Sequence, residues 1–111
     1  MKISTTKING YSLVKIEGSL TIEYIKNIEQ QVDLCLDEGR DVILDFCELS
    51  FICSAALSFL LASNQKANAK SLRLAIVNCN NDIRNLFNLT ELDKHLSIFS
   101  SVEEARRNLD S

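Results

Sequence analysis

Apolar positions change period along this chain, and the changes mark out its elements. Lys2 to Ile8 and Tyr11 to Glu17 are strand-like runs flanking Asn9-Gly10, a dipeptide that takes the positive φ angles of a tight turn, so the chain opens on an antiparallel hairpin. After Gly18 the spacing becomes helical. Ile25, Ile28, Val32 and Leu36 recur at three- and four-residue intervals, with Thr21 placed to cap the helix and Gly39 to end it. Asp41 to Cys47 is too continuously apolar for a half-exposed strand and reads as a central one, interrupted by Asp45. A helix from Ala55 to about Asn68 follows, with Leu57, Leu60 and Leu61 expected in the core; Ser58 and Phe59, if they face outward, are natural contact residues. Leu72 to Val77 is a further strand. Asn80 or Asn81 caps a third helix carrying Ile83, Leu86 and Phe87. A short strand at Leu96 to Phe99 precedes a last helix, where Ser101 and Glu104 have capping-box spacing.

The predicted order is β-β-α-β-α-β-α-β-α. Alternation of strand and helix with short connections favours right-handed crossovers and parallel pairing. The fold class is therefore α/β: a mixed, mostly parallel five-stranded sheet with an N-terminal antiparallel hairpin and four helices. No proline, low-complexity run or internal repeat suggests a linker, so residues 1–111 are read as a single domain. With this many elements in so short a chain, each helix must lay an apolar face on the sheet. That leaves no room for a deep pocket, and no small-molecule substrate is expected.

Composition narrows the function further. The chain has 46% hydrophobic and 24% charged residues and a formal net charge of -3, without a long run of one sign. The basic footprint of a nucleic-acid binder is missing, so no nucleic acid is expected as a partner. The apolar runs are too short and interrupted to span a bilayer, and the N-terminus lacks a signal-like apolar stretch; the reading is a cytoplasmic protein with no membrane insertion. Cys35, Cys47, Cys53 and Cys79 show no CxxC spacing and lie in or beside core segments, so they are read as buried free thiols. His95 is the single histidine, with no motif joining it to a serine or an acid. There is no glycine-rich phosphate loop, metal-ligand cluster or acid-base pair, so no catalytic residue, cofactor or metal is assigned.

The most informative stretch is VILDFCELSFICSAALSFLL, Val42 to Leu61. A strand, a short turn and a helix opening on Ser54 present unpaired N–H groups and the positive end of a helix dipole, which suit an anion or a modified serine. On its own chemistry Ser54 reads as the helix N-cap. Asp45, in the buried strand, reads as a cap for a neighbouring loop.

This segment, together with LVKIEGSLT (Leu13 to Thr21), LRLAIVN and the Asn88-Leu89-Thr90-Glu91-Leu92 stretch, resembles the STAS domain of anti-sigma factor antagonists over nearly the whole chain. Phe51-Ile52-Cys53-Ser54-Ala55-Ala56-Leu57 aligns with a family pattern of a phenylalanine or similar residue followed by Asp-Ser-Ser/Thr-Gly-Leu. The resemblance places Ser54 on the serine that a partner serine kinase, itself an anti-sigma factor, phosphorylates. It implies a non-enzymatic protein that binds this kinase/anti-sigma factor through Thr21, Cys53, Ser54, Ala55 and Ser58, released by phosphorylation of Ser54. No cofactor belongs to this chain, since ATP would be the kinase's. Cys53 stands where the family has aspartate, Ala55 and Ala56 where it has a hydroxyl residue and glycine, and Thr21 where an aspartate often precedes the first helix. Each change removes a polar or flexible group from the surface a kinase reads. The alternative is a constitutive, non-phosphorylated STAS subunit of a larger complex, such as a lipid-transport ABC complex or a stress-sensing assembly.

Overall fold

The computed structural model describes residues 1–109. Its strands are β1 (Lys2–Ile8), β2 (Tyr11–Leu20), β3 (Asp41–Asp45), β4 (Leu49–Ile52), β5 (Leu74–Val77) and β6 (Ser97–Phe99). Its α-helices are α1 (Ile22–Asp37), α2 (Ser54–Ala69), α3 (Asn81–Leu89) and α4 (Val102–Leu109), with one 3-10 turn at Leu92–Lys94. The sheet runs β1-β2-β3-β5-β6; β1 and β2 are antiparallel, and β2-β3, β3-β5 and β5-β6 are parallel. This is the mixed, mostly parallel architecture with an opening hairpin and four helices that the periodicities indicate.

Both faces of the sheet are covered, which explains the unbroken apolar run of β3. Val42 and Leu44 join Val14, Ile16 and Ile76 in a core with α1, α2 and α3, contributing Ile28, Val32, Leu60 and Phe87. Ile43 points the other way, as strand alternation requires, into a smaller cluster with Tyr11, Ala75, Val77 and Ala105 of α4. Three helices thus cover one face and α4 the other.

One strand escaped the sequence reading. β4 is not on the main path of the sheet but pairs in parallel with the far end of β2, through Gly18, Ser19 and Leu20. β2 accordingly runs on to Leu20 instead of ending at Glu17. Its first half pairs β3 and its last three residues pair β4, with a register irregularity at Gly18/Ser19. Gly18 has φ +100°, a conformation that L side chains rarely adopt, and this lets the strand pass from one partner to the next.

Local capping is partly as expected. Asn80 caps α3, its side chain accepting from the Ile83 N–H at 2.8 Å, and Ser101 Oγ accepts from the Glu104 N–H at 3.2 Å at the start of α4. Of the four free cysteines, Cys35 is buried as expected. Cys53 and Cys79 are half-buried and Cys47 is exposed, because they lie in the connections at the ends of the strands.

The face of α2 is rotated from the one expected. Ala56, Phe59, Leu60, Ser63 and Ala67 are buried, whereas Leu57 and Leu61 are half-buried. Phe59, a contact residue only if it faced outward, packs in the core, since residues three and four apart share a helix face and it lies with Ala56 and Ser63. Ser63 is the odd member of this set: it is buried, and its hydroxyl has no hydrogen-bond partner among the described residues. Burying an unpaired hydroxyl is unfavourable, and alanine is the better helix former. Ser63→Ala is therefore expected to stabilise the fold by about 1 kcal/mol, read as a higher urea midpoint at unchanged slope.

Candidate functional site

The site is assembled at the ends of β2, β3 and β4, where the helices begin. Phe46 is fully buried; its N–H bonds the Val77 carbonyl at 3.0 Å, and its carbonyl accepts from the Leu49 N–H at 3.0 Å. These bonds close the turn that sends the chain into β4. Asp45 braces the same turn, its Oδ1 accepting from the Cys47 N–H and from Asn78 Nδ2, both at 3.0 Å. That is the loop-capping role expected of a buried carboxylate here, and it leaves Asp45 engaged in structure.

β4 then delivers the chain to α2. The Cys53 N–H donates to the Leu20 carbonyl at 3.0 Å, tying the start of α2 to the end of β2 and so to the start of α1. This bond brings Thr21 close to Cys53 and Ser54, although more than thirty residues separate them in the chain.

Ser54 is not the N-cap. Cys53 holds that position, with extended backbone at φ −82° and ψ 162°, and its side chain makes no capping bond. Ser54 is the first helical residue, and it is exposed. The reason is geometric: Cys53 is pinned in extended conformation by its β2 partner, so helical dihedrals begin one residue later. The Ser54 hydroxyl is therefore not committed to capping. No acidic residue lies in the first turn, so nothing there offsets the positive end of the α2 dipole.

The other expected site residues divide by burial. Ala55 and Ser58 are exposed and Cys53 is half-buried. Ser54 and Ser58, four residues apart, share the outward face of α2. Ala56 is fully buried, so its difference from the family's glycine lies in the core and removes nothing from the surface. Thr21 does occupy the N-cap position of α1, but its hydroxyl donates to Glu23 Oε1 at 3.0 Å and makes no bond to the helix backbone.

Two residues at this end escaped the sequence reading. Phe51 is 52% exposed and Ile22 is 74% exposed, large apolar side chains left in solvent beside the starts of α2 and α1. Phe51 borders a shallow groove of about 230 Å³ lined by Ser50, Ile52, Asp82, Ile83 and Leu86. A short strand with buried ends and an exposed middle has no alternation to betray it, so its register on β2 was needed to see that Phe51 faces out. Exposed aromatics beside an apolar groove are features of protein-binding surfaces.

Burial pushes the Cys79 thiol up to about 11, partly offset by Arg84, so it is protonated at neutral pH. Among the described residues no group of three or more His, Cys, Asp or Glu could hold a metal ion, and no helix is long and apolar enough to cross a membrane.

Comparison with known proteins agrees with the geometry. The family model described as STAS domain matches residues 2–105. An anti-sigma factor antagonist from Mycobacterium paratuberculosis is 19% identical with a TM-score of 0.89, over 99% of this chain and 94% of that one. The Bacillus cell fate determinant SpoIIAA in its phosphorylated form is 17% identical with a TM-score of 0.74, over 96% and 98% of the two chains. A STAS domain protein from Planctomyces limnophilus is 14% identical with a TM-score of 0.83, over 98% of each.

Proposed function

This chain belongs to the STAS domain family, and from that premise we propose that it is a single-domain regulator of the anti-sigma factor antagonist type. It acts by binding and has no catalysis of its own. Its partner is a serine kinase/anti-sigma factor, docked on Thr21, Cys53, Ser54, Ala55 and Ser58, and phosphorylation of Ser54 releases it. The observation that carries this reading is Ser54 itself: exposed, first in α2, and free of any capping role. A phosphate there would add a charge of roughly -1.5 to -2 next to the open N–H groups of the helix, tolerable within this chain and repulsive or oversized in a close interface.

The kinase-ATP reaction tests it directly. Mass spectrometry of the chain after incubation with a cognate serine kinase and ATP is expected to show one phosphate, on Ser54. Transfer to a different residue, or tight binding with no transfer, would count against the switch.

The second reading, a constitutive subunit of a larger assembly, draws on Cys53. The small thiol side chain at the N-cap supplies no carboxylate to the surface that a kinase would read. Under this reading the same face stays permanently docked, and Ser54 is a contact residue only.

A further inference from the structure

Among the described residues the outer edge of β1 has no partner strand, since β1 lies at the end of the sheet and pairs there only with β2. An edge strand with unpaired N–H and C=O groups is a template for another strand. We infer that this edge pairs antiparallel with the β1 of a second copy of the chain, making a two-fold symmetric dimer with one continuous sheet.

The sequence of β1 is self-complementary in one register. A two-fold axis perpendicular to the sheet keeps each residue on its own face, so only registers centred on a residue are allowed. All seven residues pair only when the axis passes by Thr5. That register sets Lys2 opposite Ile8, Ile3 opposite Lys7, Ser4 opposite Thr6 and Thr5 opposite Thr5. No lysine faces a lysine, and the centre is made of hydroxyl residues, whose cross-strand pairs are favourable.

The helix beside this edge points to the same partner. Thr5 Oγ1 meets Gln31 Oε1 at 3.4 Å and Lys7 Nζ meets Glu38 Oε2 at 2.7 Å, which fixes the end of α1 above β1. Between these contacts Leu34 stands 58% exposed, at the level of Thr5 and Lys7, beside a groove of about 390 Å³ that also includes Cys35. Since the axis preserves faces, the two copies of α1 lie on the same side of the joined sheet. Each groove then opens toward the other copy, and each Leu34 faces its counterpart across the axis. The groove also carries Lys7 with Asp37 and Glu38, so a second copy brings both signs of charge to a surface that has both. Ser54 lies at the strand ends and stays outside this interface.

Sedimentation velocity of the full chain from about 1 to 500 µM, a span suited to a modest interface, tests the inference. The wild type is expected to shift from monomer to dimer within that range. Thr5→Lys puts like charges opposite each other at the axis and is expected to weaken the dimer by about tenfold or more. Thr5→Glu should do the same, while an equimolar mixture of the two variants should recover a dimer. Circular dichroism melting of each variant, expected to match the wild type, separates loss of pairing from loss of fold. A wild type that stays monomeric throughout, a dimer indifferent to Thr5→Lys, or a mixture that fails to recover would each overturn the inference.

Discussion

A Ser54→Asp chain is expected to bind the serine kinase/anti-sigma factor at least about a hundredfold more weakly than the wild type, a loss near 3 kcal/mol. The size follows from position. Ser54 lies in the exposed first turn of α2, between the exposed Phe51 and Ser58, so an added anion would sit inside the docked surface and not at its rim. Charges desolvated without a partner at the centre of an interface cost the most. Isothermal titration calorimetry of both chains against the partner reads the effect. The fold should not suffer, because a negative side chain at a helix N-terminus is favourable to the helix. Equal affinity of the two chains would leave Ser54 as an ordinary contact, or no contact, and would favour the constitutive-subunit reading.

Phe46→Ala is expected to cost about 3–5 kcal/mol of stability, measured by urea unfolding. Phe46 has no exposed surface and belongs to the main core, and removing a ring there loses transfer energy and opens a cavity. The effect should reach function as well. Phe46 begins the turn from β3 into β4, held by its bonds to Val77 and Leu49, and β4 positions Phe51 and the start of α2. Partner binding should therefore fall with stability, whereas a surface change such as Ser58→Ala should leave stability within about 0.5 kcal/mol. A Phe46→Ala chain that unfolds at the wild-type urea midpoint would contradict this packing.

Much of the fold was legible because its signals are local and periodic. The Asn9-Gly10 hairpin, the spacing of Ile28, Val32 and Leu36 in α1, the doubly covered run of β3 and the Asn80 cap all express short-range chemistry. The misses share a cause. β4 exists because four residues find the end of β2, and a four-residue strand with both ends buried has no period of its own. Phe59 and Leu57 both suit a helix core, and only packing against α1 and the sheet decided that Phe59 goes in fully and Leu57 sits at the margin. The cap of α2 was misplaced by one residue because a strand bond from Cys53 to Leu20, far off in sequence, sets where helical dihedrals begin.

By itself, then, the amino-acid sequence determined the α/β class, the order of the elements apart from β4, the family resemblance and the position of a serine at the mouth of the second helix. These depend on propensity, hydrophobic period and motif, which a linear chain carries. Tertiary structure decided what that serine is free to do. Register on β2 moved the cap to Cys53, released the Ser54 hydroxyl, buried Ala56 and turned Phe51 outward, since each depends on which distant backbone atoms the strand meets.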